Sequence, residues 1–168
     1  MSGAVTTSRV FDAAKAAKAR ISLLTWPAHP RLPNQPPPAV TYDSSADHEA
    51  NAELVVISSS VGDDATIISD GLPDRRSETV SLSVMVLTAT GETDDEVVID
   101  RLRDICNAIQ EAVWDTDQTS PTGRSVPFGA NGVKTAGVSQ VSFSVFTDDR
   151  FHGYLGTAEV VYSLQFRI

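Results

Sequence analysis

The chain has 168 residues, 41% of them hydrophobic, one cysteine, and a formal net charge of −9 from 13 basic and 22 acidic side chains. That length suits a single domain able to bury most of its unfolded surface without covalent staples. Cys106 has no partner for an internal disulfide, and no basic start leads into a signal-like or membrane-spanning apolar run. A chain made in a reducing cytoplasm, neither secreted through a cleaved signal nor inserted in a membrane, is therefore expected. The acidic balance argues against direct nucleic-acid recognition, since a phosphate-binding surface would have to overcome that field locally.

The charge is also split along the chain. Through Arg31 there are five basic residues (Arg9, Lys15, Lys18, Arg20, Arg31) and one acid, Asp12; the remainder carries 8 basic and 21 acidic residues, a balance of −13. A cationic opening before an anionic body favours docking between unlike surfaces, within one chain or between copies.

From Ser8 to Leu24, Val10, Ala14, Ala17, Ile21 and Leu24 recur at steps of four and three, predicting an amphipathic helix with Ser8 as its N-cap. The stripe is rich in alanine, so the helix must gain its stability by packing on a larger apolar surface. Residues 25–51 then read as a proline-rich loop in which Pro27, Pro30, Pro33 and Pro36 recur every third residue, ahead of Pro37 and Pro38. That spacing matches one face of a polyproline II helix: a stiff spacer, or a ligand for a proline-recognising module. No basic cluster or second motif completes the ligand reading.

Glu53 to Ser59 reads as a strand, and Ala65 to Ser69 as a short second strand or the far side of a loop. Between Ser77 and Thr88, Val80, Leu82, Val84 and Val86 alternate with Ser81, Ser83 and Met85, which predicts a strand with one buried face. Thr93-Asp94-Asp95-Glu96 has the form of a capping box opening a helix over 93–114. Its apolar stripe is Val98, Leu102, Ile105, Ile109 and Val113, with Arg101, Arg103, Asp104 and Gln110 off it.

After a polar loop over Asp115 to Gly132, two strands close the chain. Val141, Phe143 and Val145 share one face of the first; Ala158, Val160, Tyr162, Leu164, Phe166 and Ile168 share one face of the second. The link from Asp148 to Gly156 predicts an antiparallel hairpin. The expected fold is therefore a single α+β domain, a mainly antiparallel sheet over 52–168 with two principal helices packed on one face.

Motifs for chemistry are weak. His29, His48 and His152 fall in three separate loops, none with a second histidine or cysteine at metal spacing, and the neighbours in Asp47-His48-Glu49 read as a solvated turn, so no metal or other cofactor is expected. Cys106 borders the apolar stripe and reads as a small hydrophobe. Gly129 to Thr135 lacks the lysine placement of a phosphate loop, and the pairs Asp63-Asp64, Asp94-Asp95 and Asp148-Asp149 read as solvated turns or a helix start. No catalytic residue is assigned, and no enzyme is expected.

Candidate contact residues are the cations Arg9, Lys15 and Lys18, the group Asp74-Arg75-Arg76 ahead of a long strand, and Phe151 and Tyr154 in the hairpin link. Paired arginines suit bidentate contacts with a neighbour's carboxylates, although a plain surface loop fits equally. The two aromatics suit a contact surface or fold back onto the core.

In element order the chain resembles the tail terminator proteins of long-tailed phages. The resemblance covers nearly the whole chain and rests on Ser8-Arg-Val-Phe-Asp-Ala-Ala-Lys, on Asp74-Arg-Arg-Ser-Glu-Thr-Val-Ser-Leu-Ser-Val-Met-Val, on Val97-Val-Ile-Asp-Arg-Leu-Arg-Asp-Ile-Cys-Asn-Ala-Ile and on Gly156-Thr-Ala-Glu-Val-Val-Tyr-Ser-Leu-Gln-Phe-Arg-Ile. The proline run over 27–38 is longer than the resemblance leads one to expect. The resemblance to tail terminators implies a homohexameric ring in the virion, seated on the last ring of tail tube protein, halting polymerisation and facing the head-completion or connector proteins. It carries over no catalytic residues. A head-tail connector, a minor tail protein or a monomeric protein-binding adaptor are the alternatives.

Overall fold

A computed structural model describes residues 9–43, 52–61, 77–113, 133–148 and 153–167. Two helices, α1 (Val10–Ser22) and α2 (Asp95–Val113), accompany five strands: β1 (Ala39–Thr41), β2 (Ala52–Val61), β3 (Ser77–Glu92), β4 (Val133–Asp148) and β5 (Gly153–Arg167). The strands form one sheet in the order β1-β2-β3-β5-β4. All pairings are antiparallel except that of β1 with β2, which makes the sheet mixed. The α+β class and both helices on one face agree with the sequence.

Strand period sets that face. In register across the sheet, Val55 pairs with Val86 and Val86 with Ala158; Ile57 pairs with Val84 and Val84 with Val160. Leu82 pairs with Tyr162 and Val80 with Leu164. Paired residues point to the same side, so alternation in three strands produces one continuous apolar surface. α1 lays Ala13, Ala17 and Ile21 on it over β1 and β2, and α2 lays Val98, Leu102, Ile105 and Ile109 over β3 and β5. Burying each large apolar side chain stabilises by about 1.5–3 kcal/mol, while the alanines let α1 approach closely.

Several expected boundaries shift. Ser8 lies outside the described residues, and Arg9 is the N-cap of α1, with no side-chain cap; its backbone N–H instead donates to Glu78 Oε1 at 2.9 Å. α2 is capped by Asp94 rather than Thr93: Asp94 Oδ1 accepts the Glu96 N–H at 3.0 Å, and the Asp94 carbonyl accepts that of Val98. Asp and Thr are both good caps, and here the charged oxygen faces the positive helix end. The proline-rich loop contains β1, three residues paired to Leu54, Val55 and Val56. β5 begins at Gly153, so the predicted hairpin is tighter than the Asp148–Gly156 link. Residues 65–69 and 115–132 lie outside the described residues.

Gly156 marks where α2 sits closest to the sheet. A Cβ there would overlap Val98 Cγ1 and lie 2.9 Å from Leu102 Cδ1, whereas one on Gly137 in β4 would meet nothing within 4 Å. Val98 is branched and buried and cannot step aside. Gly156→Ala is expected to destabilise the fold by about 1–3 kcal/mol in urea unfolding, and Gly137→Ala to be neutral or to stabilise by up to about 1 kcal/mol.

Candidate functional site

A buried ion pair lies under the first half of α2. Glu53 and Thr88 pair across β2 and β3 on the helix-facing side. Arg101 reaches down to Glu53 with two parallel bonds, Nε to Oε2 and Nη2 to Oε1, each 2.8 Å. The Thr88 hydroxyl donates to Oε2 at 3.2 Å, and Arg101 Nη1 donates to the Pro27 carbonyl at 2.7 Å. Arg101 is only 2% exposed. It thereby joins α2, β2 and the proline-rich segment. The sequence placed Arg101 off the apolar stripe; the missed signal is Glu53, an acid opening an otherwise apolar strand.

Beside this clamp the segment after α1 folds over a cleft of about 560 Å³ lined by Trp26, His29, Pro33, Pro36, Val40 and Arg101 among others. His29 Nδ1 accepts the backbone N–H groups of Arg31 (3.2 Å) and Leu32 (3.1 Å), which holds the loop's turn. Burial keeps the imidazole below its usual value near 6.5, with Arg101 and Arg31 also lowering it against the raising influence of Glu53 and Glu92. Nδ1 is therefore occupied as an acceptor and the ring stays neutral near pH 7. Outside the cleft, Arg31 ties the loop to the β3–α2 corner through Glu92 (2.9 Å) and Asp94 (3.4 Å). The ionisable side chains of the cleft serve the fold.

The second candidate is the far edge of the sheet. β4 spans 16 residues, and among the described residues only β5 pairs with it. Val141 and Phe143 stand opposite Val160 and Ala158, on the side that elsewhere forms the core. They are nevertheless 66% and 64% exposed, and Val138, opposite Tyr162, is also exposed. Among the described residues the helix layer ends at α2, whose outward flank adds the partly exposed Ile99. The strand departs from regular register near Lys134 and Ser139, and the Ser139 hydroxyl donates to the Val161 carbonyl at 3.1 Å. Cys106 is half-buried against the core, and desolvation raises its thiol to about 11, so it is not a ready nucleophile.

The predicted contact residues divide. Lys15 and Lys18 share one flank of α1, Lys15 exposed and Lys18 Nζ 4.5 Å from the centre of the Tyr42 ring, whereas Arg9, the N-cap, lies on another side and pairs with Asp12 at 3.0 Å. Tyr154 is half-buried in β5 and packs against the core, the fold-back alternative. Asp74, Arg75, Arg76 and Phe151 lie outside the described residues, as do His48, His152, Asp63, Asp64 and Asp149. Lys134 falls inside β4, with residues 129–132 undescribed. Among the described residues no three His, Cys, Asp or Glu side chains converge, and no helix is long and apolar enough to cross a membrane.

No protein-family model matches the chain, and no curated protein matches it significantly.

Arg101→Met would leave the Glu53 carboxylate buried without its cation and is expected to cost about 3–5 kcal/mol in urea unfolding. Adding Glu53→Leu should recover most of that loss; a double variant no better than the single one would contradict the pairing.

Proposed function

We propose that the chain is a structural assembly protein of a virion, the tail terminator of a long-tailed phage. It would close with copies of itself into a ring, seat on the last ring of tail tube protein, stop its polymerisation and offer its other face to the head-completion or connector proteins. No catalytic role and no cofactor belong to this reading. The observation that carries it is the 16-residue strand β4, whose apolar residues Val138, Val141 and Phe143 lie uncovered on the core side of the sheet. Long apolar sheet edges drive association, and a protein whose work is assembly uses such a surface. The element-by-element resemblance to tail terminators supplies the partners.

The adaptor alternative, with residues 27–38 as a proline ligand, has less support. Pro38 is buried, and the Pro27 carbonyl is held by Arg101. Both ends of the segment are thus tied into the fold, whereas a ligand for a groove presents itself free.

Light scattering over a wide concentration range, with and without purified tail tube protein, tests the ring. A closed species of fixed mass, alone or on tube ends, is expected, together with tubes that cease to lengthen. A chain that stays at 17.9 kDa and ignores tubes would overturn the proposal.

A further inference from the structure

The uncovered region is a groove whose shape and chemistry can be read. Its floor is Val138, Val141 and Phe143 on β4, exposed although they pair with Tyr162, Val160 and Ala158 of the core face. Its wall is the outward flank of α2. At 100° per residue, Asp95 and Ile99 lie on the flank away from Arg101, which turns inward toward β2. Asp95 and Glu96 are exposed and make no ion pair among the described residues. The groove is thus an apolar trough with the Asp95 carboxylate at the α2 N-terminal end, Glu96 lying a further turn of about 100° round on the solvent side.

The opposite flank of the same molecule carries the complement. In α1, Ala13, Ala17 and Ile21 face the sheet, and Arg20 turns toward α2, donating from Nε to the Ala112 carbonyl at 2.9 Å. Phe11, Lys15 and Lys18 follow at steps of four and three on the side away from α2. Phe11 is 68% exposed, and Lys15 is exposed with no ion pair among the described residues. An exposed apolar ring followed by the Lys15 ammonium matches, in kind and sign, an apolar trough followed by the Asp95 carboxylate. The helices as wholes have the same polarity. α1 sets Lys15, Lys18 and Arg20 against Asp12, a balance of +2; α2 sets five acids against Arg101 and Arg103, a balance of −3.

From this we infer that the groove between α2 and β4 receives the Phe11-Lys15-Lys18 flank of α1 from a second copy of the chain. The inference rests on the ring reading above and specifies its contact. α1 covers β1 and β2 at one end of the sheet, and the groove lies at the other. Donor and acceptor surfaces are therefore different and sit on opposite flanks, which makes the contact head-to-tail; such contacts build rings or filaments rather than two-fold dimers. A 16-residue strand extends roughly 50 Å at ~3.4 Å per residue. The floor from Val138 to Phe143 takes up about 17 Å of it, close to the ~20 Å length of the 13-residue α1 at ~1.5 Å per residue, so a helix of this size fits the trough.

Two variants, each blocking one side, test this. One carries V141K and F143K; the other carries F11D and K15E. All four positions are exposed, so both should keep the wild-type far-UV circular dichroism and lose the ring, a sixfold fall in mass for a hexamer. F143T replaces the lysine pair if that variant fails to fold. Mixing the two blocked proteins should produce a two-chain species, because each retains the surface that the other lacks.

A ring that persists in either variant would overturn this contact and leave the ring reading standing. Blocked variants that stay monomeric when mixed would overturn the head-to-tail pairing. A lysine variant of unchanged mass but much lower melting temperature would show that the chain's own residues fill the groove. A wild-type chain that is monomeric alone and on tube ends would remove the ring reading and this inference with it.

Discussion

The Arg101–Glu53 pair determines how the rest of the molecule can be arranged. Two charges are taken almost wholly out of water, which costs several kcal/mol per ion unless every lone pair and proton is met. Here the carboxylate receives two guanidinium bonds and a threonine hydroxyl, and a further guanidinium N–H is taken by the Pro27 carbonyl. Such a geometry fixes the rotation of α2 about its axis. Once Arg101 faces β2, the apolar stripe of α2 must lie over β3 and β5, and Ile99 must look outward. The proline-rich segment is placed by the same side chain, and the His29 and Arg31 contacts then hold its turn against the β3–α2 corner.

The consequence is an uneven layer. Among the described residues two helices cover a sheet of five strands, and with α1 at one side and α2 over the middle, neither of them lies above the apolar residues Val138, Val141 and Phe143 on the core side of β4. A soluble monomer would gain by replacing Val141 and Phe143 with polar residues at little structural cost, since neither contributes to the buried core. Their presence makes sense if the surface is covered in the assembled state. In the proposed ring the cationic flank of α1 and the acids of α2 would set the direction of assembly and disfavour like-to-like contacts.

Strand alternation and helix periodicity made the architecture legible, because both record burial directly. Val80, Leu82, Val84 and Val86 identified the core face of β3, and Val98, Leu102, Ile105 and Ile109 that of α2. What stayed hidden depended on distant partners. Strand β1 is three residues long and exists only because β2 offers its edge. Arg101 looks like a surface residue until Glu53, 48 positions away, is brought beneath it. The exposure of Val141 and Phe143 was equally unreadable, since their alternation is that of a buried strand and only the lateral position of α2 leaves them bare. Charge segregation singled out the α1 cations as contact candidates, and of the two readings open for Tyr154 the structure has the inward-packed one.

Peptide-resolved hydrogen exchange on the full chain, at concentrations below and above the onset of association, addresses the central claim most directly. Protection should rise with concentration over residues 138–143 of β4 and over residues 10–18 of α1 together, while the central strand β3 stays unchanged. Protection of 138–143 that is already complete in dilute solution and independent of concentration would contradict the claim, because the groove would then be filled within a single chain.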